Sequence, residues 1–111
     1  MQTVIETASF ISAAATAGMS ADAVEALITM LAKNPDAGDP IQGTGGCRKV
    51  RVAGRGKGKS GGYRVITFFS GANVPVFLLT VFGKGEMDNI SKSERNALHK
   101  LTKELVTQYR K

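Results

Sequence analysis

The hydrophobic pattern of this chain changes its period across a stretch rich in glycine and proline. Between residues 8 and 34 apolar residues recur at helical spacing, and between residues 47 and 82 they alternate or form short runs of β-branched and aromatic residues. Helices followed by strands are typical of an α+β domain, not of repeated βαβ units. We expect one domain over residues 1–111, because a chain of this length buries roughly two thirds of its unfolded surface.

The first part of the chain predicts a strand and two helices. Gln2–Glu6 reads as a short strand, and Ala8–Ala17 as a helix that ends at Gly18. Ser20 can cap a second helix that ends before Pro35. Its apolar face would be Val24, Leu27, Ile28 and Leu31. The two helices should form a hairpin, and residues 34–46 should form a loop.

The second part predicts three strands and a helix. The strands are expected over Arg48–Ala53, Tyr63–Phe69 and Val74–Phe82, joined as antiparallel neighbours. Ser91 and Glu94 form a capping-box pattern at the start of the last helix. Its apolar stripe would be Leu98, Leu101 and Leu105. The predicted order is β-α-α-β-β-β-α, with a mostly antiparallel sheet and the helices on one of its faces.

Charge is divided unevenly along the chain. Up to Gly46 one basic residue stands against five acidic ones, a net charge of −4, and from Cys47 onward fourteen basic residues stand against four acidic ones, a net charge of +10. Residues 48–64 hold seven cations, five glycines and no anion. The cations are Arg48, Lys49, Arg51, Arg55, Lys57, Lys59 and Arg64. Because unbalanced like charges oppose compaction, this pattern favours a nucleic-acid partner over the alternative of a solvated basic surface.

Residues 54–60 partly match a phosphate-binding P-loop. The leading glycine of that motif is replaced by Ala53, and the residues after Ser60 predict a strand where the motif requires a helix. We therefore interpret the segment as a hairpin loop whose glycines let an RNA backbone approach Arg55, Lys57 and Lys59. A solubilising loop tip is the alternative.

Three cations are expected to converge on one face of the sheet, in a patch that the helices do not cover. Lys49 and Arg51 are two residues apart on a strand and share a face, and Arg64 opens the next strand. Lys84 and Glu86 follow the last strand at the edge of the same sheet. Such a patch could bind a phosphodiester and stabilise the transition state of its cleavage, whereas an ordinary exposed strand surface is the alternative.

Other residues that could carry chemistry are interpreted mainly as structural. His99 is the only histidine, and its position next to Leu98 on the last helix makes it a weak candidate for proton transfer. Cys47 reads as a small buried hydrophobe, and the phenylalanines of the strands as sheet core. Tyr63 and Tyr109 are candidates for base stacking. No residue spacing predicts a metal site or a cofactor.

The single cysteine excludes an internal disulfide and favours a reducing compartment. The N-terminal stretch lacks the positive residues of a signal peptide, and no apolar run is long enough to span a bilayer. The expected location is the cytoplasm, with no membrane partner.

Several motifs resemble the HigB-like branch of the RelE/ParE toxin superfamily over nearly the whole chain. They are Leu31–Pro35, Gly38–Gly46, Arg48-Lys49, Gly58–Arg64 and Lys84–Met87. The resemblance implies a bacterial type II toxin of RelE-like fold. Such a toxin is an endoribonuclease that cleaves mRNA in the ribosomal A site. A cognate HigA-like helix-turn-helix antitoxin would inhibit it. Its partners would be the ribosome, mRNA and that antitoxin.

By resemblance, the catalytic positions are occupied by five residues of this chain. They are Lys49, Arg51, Arg64, Lys84 and Glu86. The chain departs from the RelE pattern at Gly85, where the pattern has arginine, and near Ser91, where it has tyrosine, and it lacks the C-terminal histidine of many HigB relatives. The general acid and base therefore stay open between Lys84, Glu86 and Tyr109. A ParE-like gyrase poison and a non-catalytic nucleic-acid-binding protein are the alternative functions.

Overall fold

The α+β class predicted from the sequence is confirmed. The structure, a computed structural model, describes residues 2–52, 62–71, 74–83 and 91–109. In chain order the elements are β1 (Val4–Glu6), α1 (Ala8–Ala17), α2 (Ala21–Lys33), β2 (Asp39–Pro40), β3 (Cys47–Val52), β4 (Tyr63–Phe68), β5 (Val76–Phe82) and α3 (Lys92–Tyr109). Across these ranges no helix has the length and apolar character needed to cross a bilayer.

The sheet has five strands in the order β1-β5-β4-β3-β2. Strand β1 pairs in parallel with β5, and the other neighbours are antiparallel. The helical hairpin α1–α2 carries the chain from the β1 edge of the sheet to the β2 edge, and β2 to β5 return to β1 as a meander. Strand β2 lies within the stretch predicted as loop, because two residues ending in Pro40 carry no periodic signal and proline is tolerated at a sheet edge.

The predicted helix ends are confirmed by their capping contacts. The Ser20 hydroxyl accepts a hydrogen bond from the Ala23 N–H at 3.1 Å at the start of α2. Gly18 closes α1 in the left-handed region with φ of 79°. Thr7 caps α1 in the same way as Ser20, with 3.1 Å to the N–H of Phe10. These local contacts set the turn between the two helices.

One packing prediction was wrong, since the helices cover both faces of the sheet. Helices α1 and α2 pack on one face through a core that includes Phe10, Leu27 and Leu31, whereas α3 packs on the other face through Leu98 and Leu105. Strands β4 and β5 explain the difference, because neighbouring residues on them are apolar on both faces. Both apolar faces must be buried, so the sheet needs a layer on each side.

The apolar stripes were only partly predicted. On α2, Leu27 and Leu31 are buried and the rest of the predicted face is half-buried. On α1, Phe10 and Ala14 are buried, whereas the neighbouring Ile11 is 55% exposed. On α3, Leu101 is also exposed.

Candidate nucleic-acid interface

Strands β3 and β4 bring Lys49, Arg51 and Arg64 to the same face of the sheet. Arg51 pairs directly with Arg64 across the two strands, and Lys49 pairs with Ile66. Residues directly opposite one another share a face, and so do residues two apart on one strand. We call these three residues the cationic patch. Helix α3 packs on this face of the sheet. The sequence predicted that no helix covers the patch, and that prediction was wrong.

Arg51 and Arg64 place two positive charges side by side. Directly opposed residues of antiparallel strands have Cβ atoms about 5 Å apart, where like charges repel. Arg51 is exposed and Arg64 is half-buried. Two neighbouring guanidinium groups can both donate hydrogen bonds to one anion, and an anion between them would offset their repulsion.

A β-bulge in β5 decides which residues stand beside this patch. Ile66 pairs with Thr80 and Thr67 pairs with Leu78, so β5 carries one extra residue, Leu79, between the two pairs. The extra residue resets the alternation of side chains and turns Thr80 and Phe82 toward the face of α3. Two rows of side chains then cross the sheet from β3 to β5. They are Arg51–Arg64–Phe82 and Lys49–Ile66–Thr80.

A cavity of about 270 Å³ lies between α3 and the β5 end of these rows, and we call it the α3 cavity. It is lined by Ile66, Thr80 and Phe82 of the sheet and by Glu94, Ala97, Leu98 and Leu101 of α3. Apolar side chains form most of its wall, while the Thr80 hydroxyl and the Glu94 carboxylate supply polar groups. The cavity thus continues the cationic rows into an apolar recess.

Helix α3 is held at both ends of this region. The predicted capping box is confirmed, because the Ser91 N–H donates to Glu94 Oε1 and the Glu94 N–H donates to Ser91 Oγ, both at 3.1 Å. Further along, the buried Thr102 hydroxyl lies 3.0 Å from the Thr44 carbonyl oxygen. A Cβ added to Gly45 would come within 2.9 Å of His99 and of Thr102, so the loop approaches α3 closely.

The remaining cations predicted for the site are distributed differently. Arg48 lies on the opposite sheet face from Lys49 and Arg51, because successive side chains of a strand point to opposite faces of the sheet. The other predicted site residues, Arg55, Lys57, Lys59, Lys84 and Glu86, lie outside the described ranges. Strand β5 ends at Phe82, the partner of Arg64, so the segment that continues to Lys84 and Glu86 begins at the edge of the cationic patch.

The other titratable candidates do not join the patch. Cys47 is buried, as predicted, and burial raises the pKa of its thiol to about 11. His99 is exposed beside Gly45 and does not line the α3 cavity. The Tyr63 hydroxyl donates to the Gly18 carbonyl at 3.2 Å and its ring packs on the α1–α2 core, which gives it a structural role. The side chain of Tyr109 lies outside the described residues.

Sequence reasoning missed Thr80, Phe82 and Glu94 as neighbours of the patch. Phe82 was interpreted as sheet core and Glu94 as a helix cap, and both interpretations hold in part. They also line the α3 cavity. That location depends on the bulge and on the face that α3 covers, and neither of these features can be predicted from the sequence. Among the residues that the structure describes, no cluster of His, Cys, Asp and Glu could hold a metal ion.

Comparison with known families identifies the chain. A family model described as the RelE toxin of the RelE/RelB toxin–antitoxin system matches residues 4–111. The match spans β1 to the end of the chain, and therefore includes the cationic patch, α3 and the loops between them. It also implies an antitoxin as partner. The chain belongs to the RelE toxin family and is the toxin of a toxin–antitoxin system.

Proposed function

We propose that this toxin is a ribosome-dependent mRNA endonuclease of the HigB-like kind, with a HigA-like helix-turn-helix antitoxin. The observation that carries the proposal is the direct pairing of Arg51 with Arg64, with Lys49 on the same face. Two opposed guanidinium groups and an ammonium group supply the positive charge that a pentacoordinate phosphate requires. The family membership supports a toxin function, and the cationic patch supports RNA as its substrate.

In the proposed reaction the ribose 2′-oxygen attacks the adjacent phosphorus and the bond to the 5′-oxygen breaks. A base removes the 2′-proton and an acid protonates the leaving 5′-oxygen, which yields a 2′,3′-cyclic phosphate and a 5′-hydroxyl. Arg51, Arg64 and Lys49 would neutralise the phosphate, and Lys84 and Glu86 would share the proton transfers. The loop cations Arg55, Lys57 and Lys59 would bind ribosomal RNA, and Arg48 would contact RNA only from the other sheet face.

The test uses translating ribosomes with a defined message, and primer extension maps the cuts. We expect cleavage within the A-site codon and none of the same message without ribosomes. Arg64→Ala and Arg51→Gln should each slow cleavage about 100-fold, the effect of removing one transition-state donor. Lys33→Gln, which removes a charge from the end of α2, is the matched control and should cleave like the wild type.

Arg48→Gln distinguishes the two sheet faces. It removes the same charge from the same strand as Arg51→Gln, and we expect a smaller loss of cleavage. Equal losses would contradict the assignment of the reaction to the α3 face. Intact message at toxin levels that stop growth would refute the endonuclease proposal, and DNA breaks in those cells would point to gyrase.

The antitoxin proposal has its own test. An adjacent reading frame that encodes a small helix-turn-helix protein should restore growth when it is expressed with the toxin. Rescue by a protein of another fold would contradict the HigA-like assignment while leaving the toxin assignment intact.

A further inference from the structure

The α3 cavity opens beside the cationic patch without a role in the proposed phosphate chemistry. Its wall is mainly apolar, yet Leu101 is 38% exposed and Glu94 is half-buried, so the recess reaches solvent between α3 and the sheet. Closed packing of α3 would have buried these side chains. A recess of this kind next to fixed polar groups is typical of a small-ligand site.

The position of the cavity relative to the patch points to one ligand class. Arg64 and Phe82 are direct partners on neighbouring strands, and Ile66 and Thr80 are direct partners one row further. Neighbouring strands are about 4.8 Å apart. An arginine side chain reaches further than this spacing, so a phosphate held by Arg51 and Arg64 lies within one nucleotide of the β5 residues that line the cavity.

We infer that the α3 cavity receives one unstacked base of the RNA whose phosphate lies on Arg51 and Arg64. The inference rests on the proposed function in that the ligand is RNA. The base enters between Phe82 and the α3 side chains, where aromatic and aliphatic surfaces offer stacking and apolar contact. A nucleic acid is favoured over a protein side chain because the cavity continues directly into the cationic rows.

The cavity also offers a polar contact to a base. The capping box holds Glu94, one of the lining residues, by a 3.1 Å hydrogen bond from the Ser91 N–H to Oε1, so its side chain has a defined position. A carboxylate accepts hydrogen bonds from the N–H groups of a base. The amino groups of adenine, guanine and cytosine and the N3–H of uracil are all suitable donors, so this contact favours a base without selecting one.

Binding is measured by NMR titration of the isolated full-length toxin with trinucleotides that carry 2′-deoxyribose at the cleavable position. Each base is removed in turn by an abasic substitution. In the wild type, one abasic ligand should bind about tenfold more weakly, equivalent to about 1.4 kcal/mol, because it loses a stacked base. The backbone signals of Thr80, Phe82 and Ala97 should respond to the intact ligand and not to that abasic one.

Ala97→Leu tests the cavity directly, because the larger side chain fills it from the exposed surface of α3. In this variant the difference between intact and abasic ligands should disappear. Asn96→Leu is the matched control, since the same side chain is introduced at the neighbouring exposed residue, which does not line the cavity.

Equal affinity of intact and abasic ligands in the wild type would overturn the inference. So would absence of binding, or an Ala97→Leu protein that still distinguishes the ligands. The test is independent of cleavage. If the translating-ribosome assay shows cuts and the titration shows no base effect, the cavity inference fails alone; if base binding is seen without cuts, the endonuclease proposal fails alone.

Discussion

At the scale of single residues, two buried threonines of similar exposure have opposite hydrogen-bonding states. Thr102 is 2% exposed and its hydroxyl lies within hydrogen-bonding distance of the Thr44 carbonyl. Thr67 is 1% exposed, and among the described residues its Oγ1 is the buried side-chain polar atom that has no partner. A buried hydroxyl without a partner retains the cost of leaving water. Thr67 therefore lowers the stability of the sheet.

Replacing each of the two threonines by valine should change the free energy of unfolding in opposite directions. Thr67→Val should raise the free energy of unfolding by about 1 kcal/mol, because it removes an unsatisfied polar group at nearly constant volume. Thr102→Val should lower it by about 1 kcal/mol, because it removes a hydroxyl that lies 3.0 Å from the Thr44 carbonyl oxygen and 2.8 Å from that of His99. Urea denaturation at neutral pH measures both. A destabilised Thr67→Val protein would indicate that the hydroxyl has a partner in solution.

The buried thiol of Cys47 predicts a dependence on alkaline pH. Its pKa rises from 9.0 to about 11 through burial, partly opposed by the hydrogen bond with Thr44. Because the folded pKa exceeds the unfolded one, stability is complete below about pH 9 and falls as the pH rises toward 11. Urea denaturation between pH 8 and pH 11, with Cys47→Ala as reference, should show this fall in the wild type alone.

The same shift predicts slow modification. At pH 8 the native thiol should react with iodoacetamide about 100-fold more slowly than in urea, because its thiolate fraction is smaller by that factor. Burial slows the reaction further. A native rate equal to the rate in urea would show that Cys47 is accessible and refute its structural interpretation.

At the scale of elements, the position of α3 depends on its close contact with the loop before β3. Gly43 and Gly45 share nearly the same backbone conformation, with φ of 79° and 78°. A Cβ at Gly45 meets His99 and Thr102 at 2.9 Å, whereas a Cβ at Gly43 meets only the Arg95 side chain at 3.9 Å. The two glycines thus separate backbone strain from contact with α3.

Gly45→Ala should destabilise the protein more than Gly43→Ala. Both variants pay the cost of a left-handed alanine, about 1–2 kcal/mol. Only Gly45→Ala also forces the His99 and Thr102 side chains of α3 to shift, so its additional loss measures this contact, and thermal unfolding compares the two. Equal losses would show that these side chains move away from the loop without cost.

At the scale of the whole molecule, the sheet separates two hydrophobic cores, and one of them is more completely buried than the other. The core under α1 and α2 contains fully buried residues from both the helices and the sheet. On the other face the buried apolar residues come from the strands and from Val74 just before β5, and α3 adds only half-buried ones, Leu98, Leu105 and Val106. The α3 layer is therefore the less tightly bound of the two.

Native-state hydrogen exchange should resolve this difference. Amides of Val65 and Ile66, in the strand that is paired on both sides, should exchange only through global unfolding. Amides in the middle of α3 should exchange through an opening of lower free energy, because less apolar surface holds the helix. Equal exchange free energies would show that α3 and the sheet unfold together.

The sequence alone determined those features that depend on neighbours in the chain. The caps at Ser20 and Ser91 and the end of α1 at Gly18 follow from contacts within a few residues, so local chemistry predicts them. Leu27 and Leu31 are buried as their spacing on one helical face predicted. The shared face of Lys49 and Arg51 follows from strand alternation in the same way. The motifs also indicated the RelE/ParE toxin superfamily, and the family comparison confirms a RelE toxin.

Only the tertiary structure decided how these elements meet. The pairing of Arg51 with Arg64, the parallel contact of β1 with β5 and the extra residue at Leu79 join residues far apart or alter their register. A shift of one residue reverses every side chain of a strand, and alternation along β5 without the bulge would have sent Phe82 to the other face. Helix α3 covers the cationic face because both faces of β4 and β5 are apolar, and that choice between faces is made by packing of the whole chain.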